Sequence, residues 1–315
     1  MELAVRRVLS GLLVLYLLST FLFFMMRAVP GDVVRLQLAD AGSVSEERID
    51  ELTAQLGLDK PAVEQYFDWL GGVVTGDFGN SLWESRSVVD ILAERIPVTF
   101  ELALLSIIIA VVIGLITGTV SAIRRGTATD GLLRFGAVLG LSIPNFWFAL
   151  IMISSMSIWF GWVQPLGYRQ LWEDPLGNLQ QMIRPAVALG LSVAAAIARM
   201  TRSSLLEVLG SDFIRTIRAK GASERLINYK HALRNSLIPI ITLLGLQFGA
   251  LLGGTVILET MFSLPGIGRL VFEAVQQRDY PVIQACAMFY GAIFIIVNIV
   301  VDISYGWIDP RIRRS

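Results

Sequence analysis

The chain has 315 residues, of which 54% are hydrophobic and 17% charged, with a mean hydropathy of +0.64. A soluble domain of this size carries about 25% charged residues, so the composition argues against a water-soluble fold and for a membrane chain. The 26 basic residues balance the 26 acidic ones, which leaves no net-charge argument for a nucleic-acid partner, and the one cysteine, Cys286, excludes a disulfide framework or a multi-cysteine metal site.

A membrane-crossing helix needs about 20 mostly apolar residues. Val8 to Met26 carries no charge and supplies the first span. Its apolar run exceeds that of a signal peptide and no A-x-A site follows, so it is predicted to remain as an anchor. Residues 27–95 then form a polar segment that is predicted to fold as a small helical cap outside the membrane. Ser43-Val44-Ser45-Glu46 reads as a capping box, with Gly57 as a C-terminal stop. Ile49, Leu52 and Leu56 make one apolar stripe. A second helix is expected near Pro61, carrying Tyr66, Phe67, Trp69 and Leu70, and Ser87 with Asp90 forms another box before Ile91 and Leu92. The cap serves either as a platform for an extracytoplasmic partner or as a structural lid; the pattern does not choose.

Leu102 to Ile123 is the second span, and residues 135–168 supply the third, with a kink expected at Pro144. The fourth, Pro185 to Ala198, is short and ends at Arg199, whose side chain can snorkel to the headgroups. Asn235 to Leu258 and Pro281 to Val301 complete six. Cys286 lies in the last run and reads as a small buried hydrophobe. Basic residues cluster at Arg6 and Arg7, at Arg124, Arg125 and Arg134, between Arg199 and Arg234, and at Arg311, Arg313 and Arg314. With six spans these segments share one side, which the positive-inside rule makes cytoplasmic, together with both termini.

Glycines recur at four-residue spacing at Gly114/Gly118, Gly136/Gly140 and Gly245/Gly249/Gly253, which suits close helix packing within the chain or at a subunit interface. Glu101, Glu259 and Asp302 sit near span ends, so a carrier driven through a carboxylate relay is disfavoured. The span interiors offer Asn145, Gln247 and Asn298 as candidate pore-lining groups. Catalytic motifs are missing. Lys60, Lys220 and Lys230 follow Asp59, Ala219 and Tyr229, so there is no phosphate-binding G-K-[ST] loop. His231 is the sole histidine, which rules out H-E-x-x-H, and no G-x-S-x-G elbow occurs. No catalytic or metal-binding residue is therefore predicted.

Between the fourth and fifth spans, Ser211 or Asp212 can cap a short helix, Arg218 and Lys220 suit its C-terminal end, and Gly221 can stop it in the left-handed conformation. Ser223 and Glu224 can begin a second helix, with Leu226, Ile227 and Leu233 on its apolar side. Two amphipathic helices about a glycine make either a knob for a cleft on a soluble partner or a basic loop held to anionic lipid.

This stretch resembles the cytoplasmic signature loop of binding-protein-dependent ABC importer permeases, E-A-A-x3-G-x9-I-x-L-P. Gly221 fills the glycine slot and Leu233 the leucine slot. Arg215, Thr216 and Ile217 occupy the E-A-A slots, His231 replaces Ile, and Arg234 replaces Pro. Those departures match the peptide-type subgroup, R-T-A-R-A-K-G-x9-H-x-L-R-N-x-L-I-P, with Ile217 as the one mismatch. The resemblance extends through Pro30-Gly31-Asp32, Leu56-Gly57-Leu58-Asp59, Gln65-Tyr66 with Trp69, and Gly76-Asp77-Phe78-Gly79-Asn80-Ser81. It continues at Pro97, Thr99 and Glu101-Leu102, where the second span is expected to open. It runs on through Glu259, Phe262, Pro265-Gly266, Gly268, Arg278-Asp279-Tyr280-Pro281 and Asp309-Pro310-Arg311.

The resemblance implies an all-α membrane protein with six transmembrane helices and the type I ABC importer permease fold. It implies an N-terminal helix over 1–29, an extracytoplasmic segment over 30–97, a permease core over 98–308 with its coupling loop at 207–235, and a cytoplasmic tail over 309–315. Implied partners are a second homologous permease, two cytoplasmic ATPase subunits that carry ATP and Mg, an extracytoplasmic solute-binding protein and membrane lipid, with no nucleic acid. This chain itself would bind no cofactor and catalyse nothing. Arg215, Thr216, Ala219, Lys220, Gly221, His231, Leu233 and Arg234 would form the ATPase-coupling loop. The location would be a bacterial or archaeal cytoplasmic membrane. The subgroup covers dipeptides, oligopeptides, glutathione, some oligosaccharides and nickel; no metal-ligand cluster lies in the spans, which tilts the expectation to a peptide. A channel or a structural subunit without ATP coupling is the alternative class.

Overall fold

The computed structural model describes residues 2–28, 46, 53–54, 59–163, 165 and 167–308. These form helices α1 (Glu2–Ala28), α2 (Ala62–Thr75), α3 (Val88–Ile123), α4 (Ala128–Ser142), α5 (Asn145–Phe160) and α6 (Pro175–Leu209), followed by α7 (Asp212–Ala219), α8 (Glu224–Gly254), α9 (Val256–Met261), α10 (Ile267–Gln277) and α11 (Tyr280–Ile308). The all-α expectation holds, with one isolated bridge between Asn80 and Ser87 among the described residues. The capping box over 43–46, apart from Glu46, the stripe at Ile49, Leu52 and Leu56, Gly57 and the tail motif from Asp309 lie outside the described residues.

Helices α1, α3, α6, α8 and α11 are long and apolar enough to cross a membrane, and α4 with α5 makes a sixth if the bent pair counts as one span. The third expected span is therefore not a kinked rod. It breaks by 99° between α4 and α5. Pro144 disfavours helical backbone at the residue before it, and Ile143 accordingly sits extended at φ −84°, ψ 121°. The separate cap helix expected at Ser87 and the span expected from Leu102 are one 36-residue helix, α3, which carries Pro97 in its interior. The fourth span, short on the sequence, is a 35-residue helix. Its most apolar stretch is 67% buried, against 33% for α3. Protein packs round α6 more completely than round the other long helices, so polar Asn178, Gln181, Thr201 and Ser204 are buried along it.

The chain divides into two compact units, Met1–Val98 with Pro265–Ile296, and Thr99–Leu264 with Val297–Ser315. In the first, α1 lies close against α11. A Cβ on Gly11 would come within 2.6 Å of Ile295 Cγ2, and one on Gly291 within 2.8 Å of Leu18 Cδ2. The rings of Phe23, Phe24, Tyr66 and Trp69 join α1 to α2. Val88, Ile91, Ile267, Leu270, Val282 and Cys286 belong to a second core, where Cys286 is fully buried. The turn before α3 is tied down by Ser81 Oγ donating to Asp279 Oδ2 at 2.5 Å and by Trp83 Nε1 donating to the Gln277 carbonyl at 2.7 Å.

In the second unit α3 packs tightly on α6. A Cβ on Gly114 would meet Ile197 Cβ at 2.6 Å, and one on Gly118 would meet the Ala198 carbonyl at the same distance. That glycine pair thus serves packing within the chain, whereas a Cβ at Gly136 or Gly253 would meet nothing within 4 Å. Asp130 at the start of α4, only 3% exposed, accepts Arg202 Nε at 2.9 Å and Nη2 at 3.0 Å, Ser121 Oγ at 2.6 Å and the Gly126 amide at 3.1 Å. Near the other end of α6, Glu101 Oε2 accepts the Tyr168 hydroxyl at 2.7 Å and Asn178 Nδ2 at 3.2 Å. Burial, then the bond to Glu101, raises the Tyr168 phenol above its ordinary range and keeps it a donor. Glu259 on α9 is fully buried and accepts Thr99 Oγ1 at 2.8 Å.

Candidate functional site: the knob between α6 and α8

Helix α7 ends as the sequence predicts, on Gly221 at φ +83°. The Gly221 amide donates to the Arg218 carbonyl at 3.0 Å and the Ala222 amide to the Ile217 carbonyl at 3.4 Å. This is the Schellman pairing, which satisfies two helix-end carbonyls and reverses the chain on a residue without a Cβ. Two residues on, Ser223 Oγ accepts the Leu226 amide at 3.4 Å and starts α8. Across the turn Arg218 grips Glu224 through two bonds, Nε to Oε1 at 2.6 Å and Nη2 to Oε2 at 3.1 Å. The pair is exposed on both sides, so it guides the turn more than it stabilises it.

The first part of α8, Ile227–Ala232, is a π-helical segment. In a π turn, residues five apart share a side, and Ile227 and Ala232 are both fully buried. Ile227 and Leu233 lie on the apolar side as expected, but Leu226 is 40% exposed, because the widened turn moves Ala232 inward in its place. Ile227 and Ala232 join Ile214 of α7, Leu205 of α6 and Ala122 of α3 in one core, with Ile217, Ala222 and Leu233 packed against it. The knob is therefore rooted in the ends of α3 and α6 as well as in α8.

Arg215, Thr216, Ala219, Lys220, Gly221 and Arg234 are exposed, while His231 and Leu233 are half-buried. Arg215 reaches Asp212 Oδ1 at 3.1 Å, and Thr216 Oγ1 donates to the Asp212 carbonyl at 2.9 Å, so both face outward from α7. The His231 ring lies edge-on to Phe213, with centroids 6.3 Å apart. Sequence reasoning passed over Phe213 and Tyr229, which leave 50% and 55% of their surface exposed beside the basic groups, and gave Glu224 no partner. The only local signal for the Arg218–Glu224 clamp was an opposite-charge pair straddling the glycine.

A cavity of about 290 Å³ lies along α4 and the start of α5, against α3 and α6. Asn145 lines it, together with Thr117, Ser192, Gly136 and Gly140. Gln247 and Asn298 sit half-buried on α8 and α11, and neither lines it. A second cavity of about 350 Å³ shares Thr117, Leu133, Ala137 and Ala198 with the first and carries Arg134, Arg199 and Arg202. The pair makes a largely apolar recess with a cationic end.

Residues 91–314 match the family model described as the binding-protein-dependent transport system inner membrane component, and residues 1–103 match the model for the N-terminal part of such components. A putative peptide transport system permease protein of Brucella abortus is 40% identical over 311 residues, spanning 99% of this chain and 98% of the relative. The glutathione transport system permease protein GsiC of Escherichia coli K12 is 39% identical over 310 residues, 98% of each. Among solved structures, the inward-facing MetNI methionine ABC transporter aligns with a TM-score of 0.57 at 18% identity, over 70% of this chain and 97% of that one. An amino acid ABC transporter with histidines aligns at 0.53 and 15% identity, over 68% and 92%. The fold is that of these type I importer permeases.

Proposed function

The chain belongs to the binding-protein-dependent transport system inner-membrane components, and from that premise we propose that it forms one half of the solute path of an ATP-driven importer for peptide-like solutes. The observation that carries the proposal is the knob, an exposed basic lever rooted by buried side chains in three helices. Its partners are a second homologous permease, two cytoplasmic ATPase subunits that hold ATP and Mg, and a solute-binding protein on the far side. The chain itself does no chemistry. ATP closes the ATPase pair, the knob around Gly221 moves with the cleft that holds it, and α3, α6 and α8 tilt in response. We count the bent pair α4–α5 as one crossing, which leaves both termini on one side, and the basic clusters make that side the cytoplasm.

Arg134 and Arg199 at one end of the α3–α4–α6 recess, where Arg202 is already paired with Asp130, suit solutes that carry a carboxylate, as peptides and glutathione do. The relatives named for peptide and glutathione transport support the same solute class. The test is disulfide crosslinking from Lys220→Cys to engineered cysteines on the ATPase subunit, combined with uptake into proteoliposomes with and without ATP. Crosslinks and ATP-dependent dipeptide uptake are expected. Solute flux that continues without ATP hydrolysis, or a cysteine that never meets the ATPase, would refute the reading in favour of a channel or a lipid-docked loop.

A further inference from the structure

We infer that the first unit carries a binding site for a carboxylate group, in the cavity between the end of α1, α2 and the start of α11. The cavity measures about 420 Å³ and is lined by Arg27, Gln65, Trp69, Asp77, Tyr280 and Gln284 among others. That volume suits a small solute or one inserted side chain.

A donor and acceptor inventory points to the ligand. Gln65 Oε1 is occupied twice by Arg27, from Nε at 2.9 Å and Nη2 at 2.6 Å, and Asp77 Oδ1 accepts the Gly79 amide at 2.8 Å. At the rim Lys60 is neutralised by Asp68 at 2.8 Å. Two donors are left over. Trp69 Nε1 and Gln284 Nε2 are both buried and meet no acceptor, and Gln284 as a whole is only 3% exposed. Buried N–H groups in this state lose their hydration without compensation. Arg27 is half-buried over the Phe23 ring, 3.5 Å from its centroid, and its hydrogen-bond partners are a neutral amide and the Phe23 carbonyl. Among the described residues no carboxylate pairs with it. A neutral carbonyl would answer the N–H groups and leave the guanidinium without an ion-pair partner, while a cation would repel it. A carboxylate supplies acceptor oxygens and the countercharge together.

The carboxylate can come from a free solute or from an acidic side chain of a docked protein, and the experiment separates the two. The full chain in lipid nanodiscs is labelled on its tryptophan indole nitrogens, and Trp69 is assigned through Trp69→Phe. Dialanine is expected to shift the Trp69 N–H resonance where dialaninamide does not, and Gln284→Met should weaken dialanine binding about tenfold. Unchanged resonances from the other tryptophans show that this variant is folded, and Gln284→Glu, which replaces the donor by a second carboxylate, should abolish the shift. If dialanine is silent but Gln284→Met weakens docking of the solute-binding protein to the assembled transporter about tenfold, the carboxylate belongs to that protein. Equal shifts from dialanine and its amide, or silence in both arms, overturn the site. The dialanine arm reads no transport, so its failure is distinct from a failure of the importer reading.

Discussion

The knob between α6 and α8 and the turn region of the first unit both hang short segments on the ends of long apolar helices, yet they are held in different ways. The knob depends on backbone: a left-handed glycine, a Schellman pairing and a π segment, with its ion pairs Arg215–Asp212 and Arg218–Glu224 in solvent. The turn before α3 depends on side chains: Ser81 bonds Asp279, a partner 198 residues away, and Trp83 reaches the Gln277 carbonyl. The proposed lever, with its surface exposed, gains rigidity from the main chain. A region that can bury its polar contacts gains it from them.

The largest expected effect tests the backbone half of that contrast. Gly221→Val should abolish coupled uptake while leaving membrane insertion and expression intact. A Cβ there meets nothing within 4 Å, so the penalty is conformational and not steric crowding by neighbours. Left-handed backbone costs an L-residue about 1–2 kcal/mol, more when it is β-branched. Normal uptake by that variant would sink the coupling assignment. Next comes Asp130→Asn, which strips the charge from a buried partner of Arg202 and should lower the melting midpoint in detergent by several degrees. An unchanged midpoint would show that the α4–α6 contact carries no stability. Ser81→Ala removes a buried donor from Asp279 and an acceptor from the Trp83 and Glu84 amides. It should cost about 1–3 kcal/mol, seen as faster amide hydrogen exchange across α10 with the knob unaffected. Smallest is Arg218→Ala, expected to change uptake by less than about twofold because the pair with Glu224 is exposed. A loss as deep as that of Gly221→Val would mean the clamp, not the glycine, sets the lever.

The sequence was legible where a local window suffices. Helix α2 begins after Pro61, Gly221 stops α7, and Ser223 caps α8, all as expected. Reading failed where three-dimensional context overrides the window. Period-3.6 counting put Leu226 inside because it cannot see a π segment that brings residues five apart into line. The most buried span looked the weakest because a helix enclosed by protein can keep polar side chains that a lipid-facing helix cannot. Asn145 was found at a cavity wall, whereas Gln247 and Asn298 share its chemistry without its place.

By itself the sequence determined that this chain builds apolar helices in a fixed order, with a glycine-centred basic hairpin between the fourth and fifth. Backbone preference and the cost of exposing polar groups to lipid act over a few residues at a time and so leave a mark in each window. Only the tertiary structure decided that Asp130 meets Arg202 and that Arg27, Trp69 and Gln284 line one cavity. Those outcomes depend on pairs tens to hundreds of residues apart. Burial chooses such partners after the local elements exist, and a charge or an amide carries no sign of which distant group will answer it.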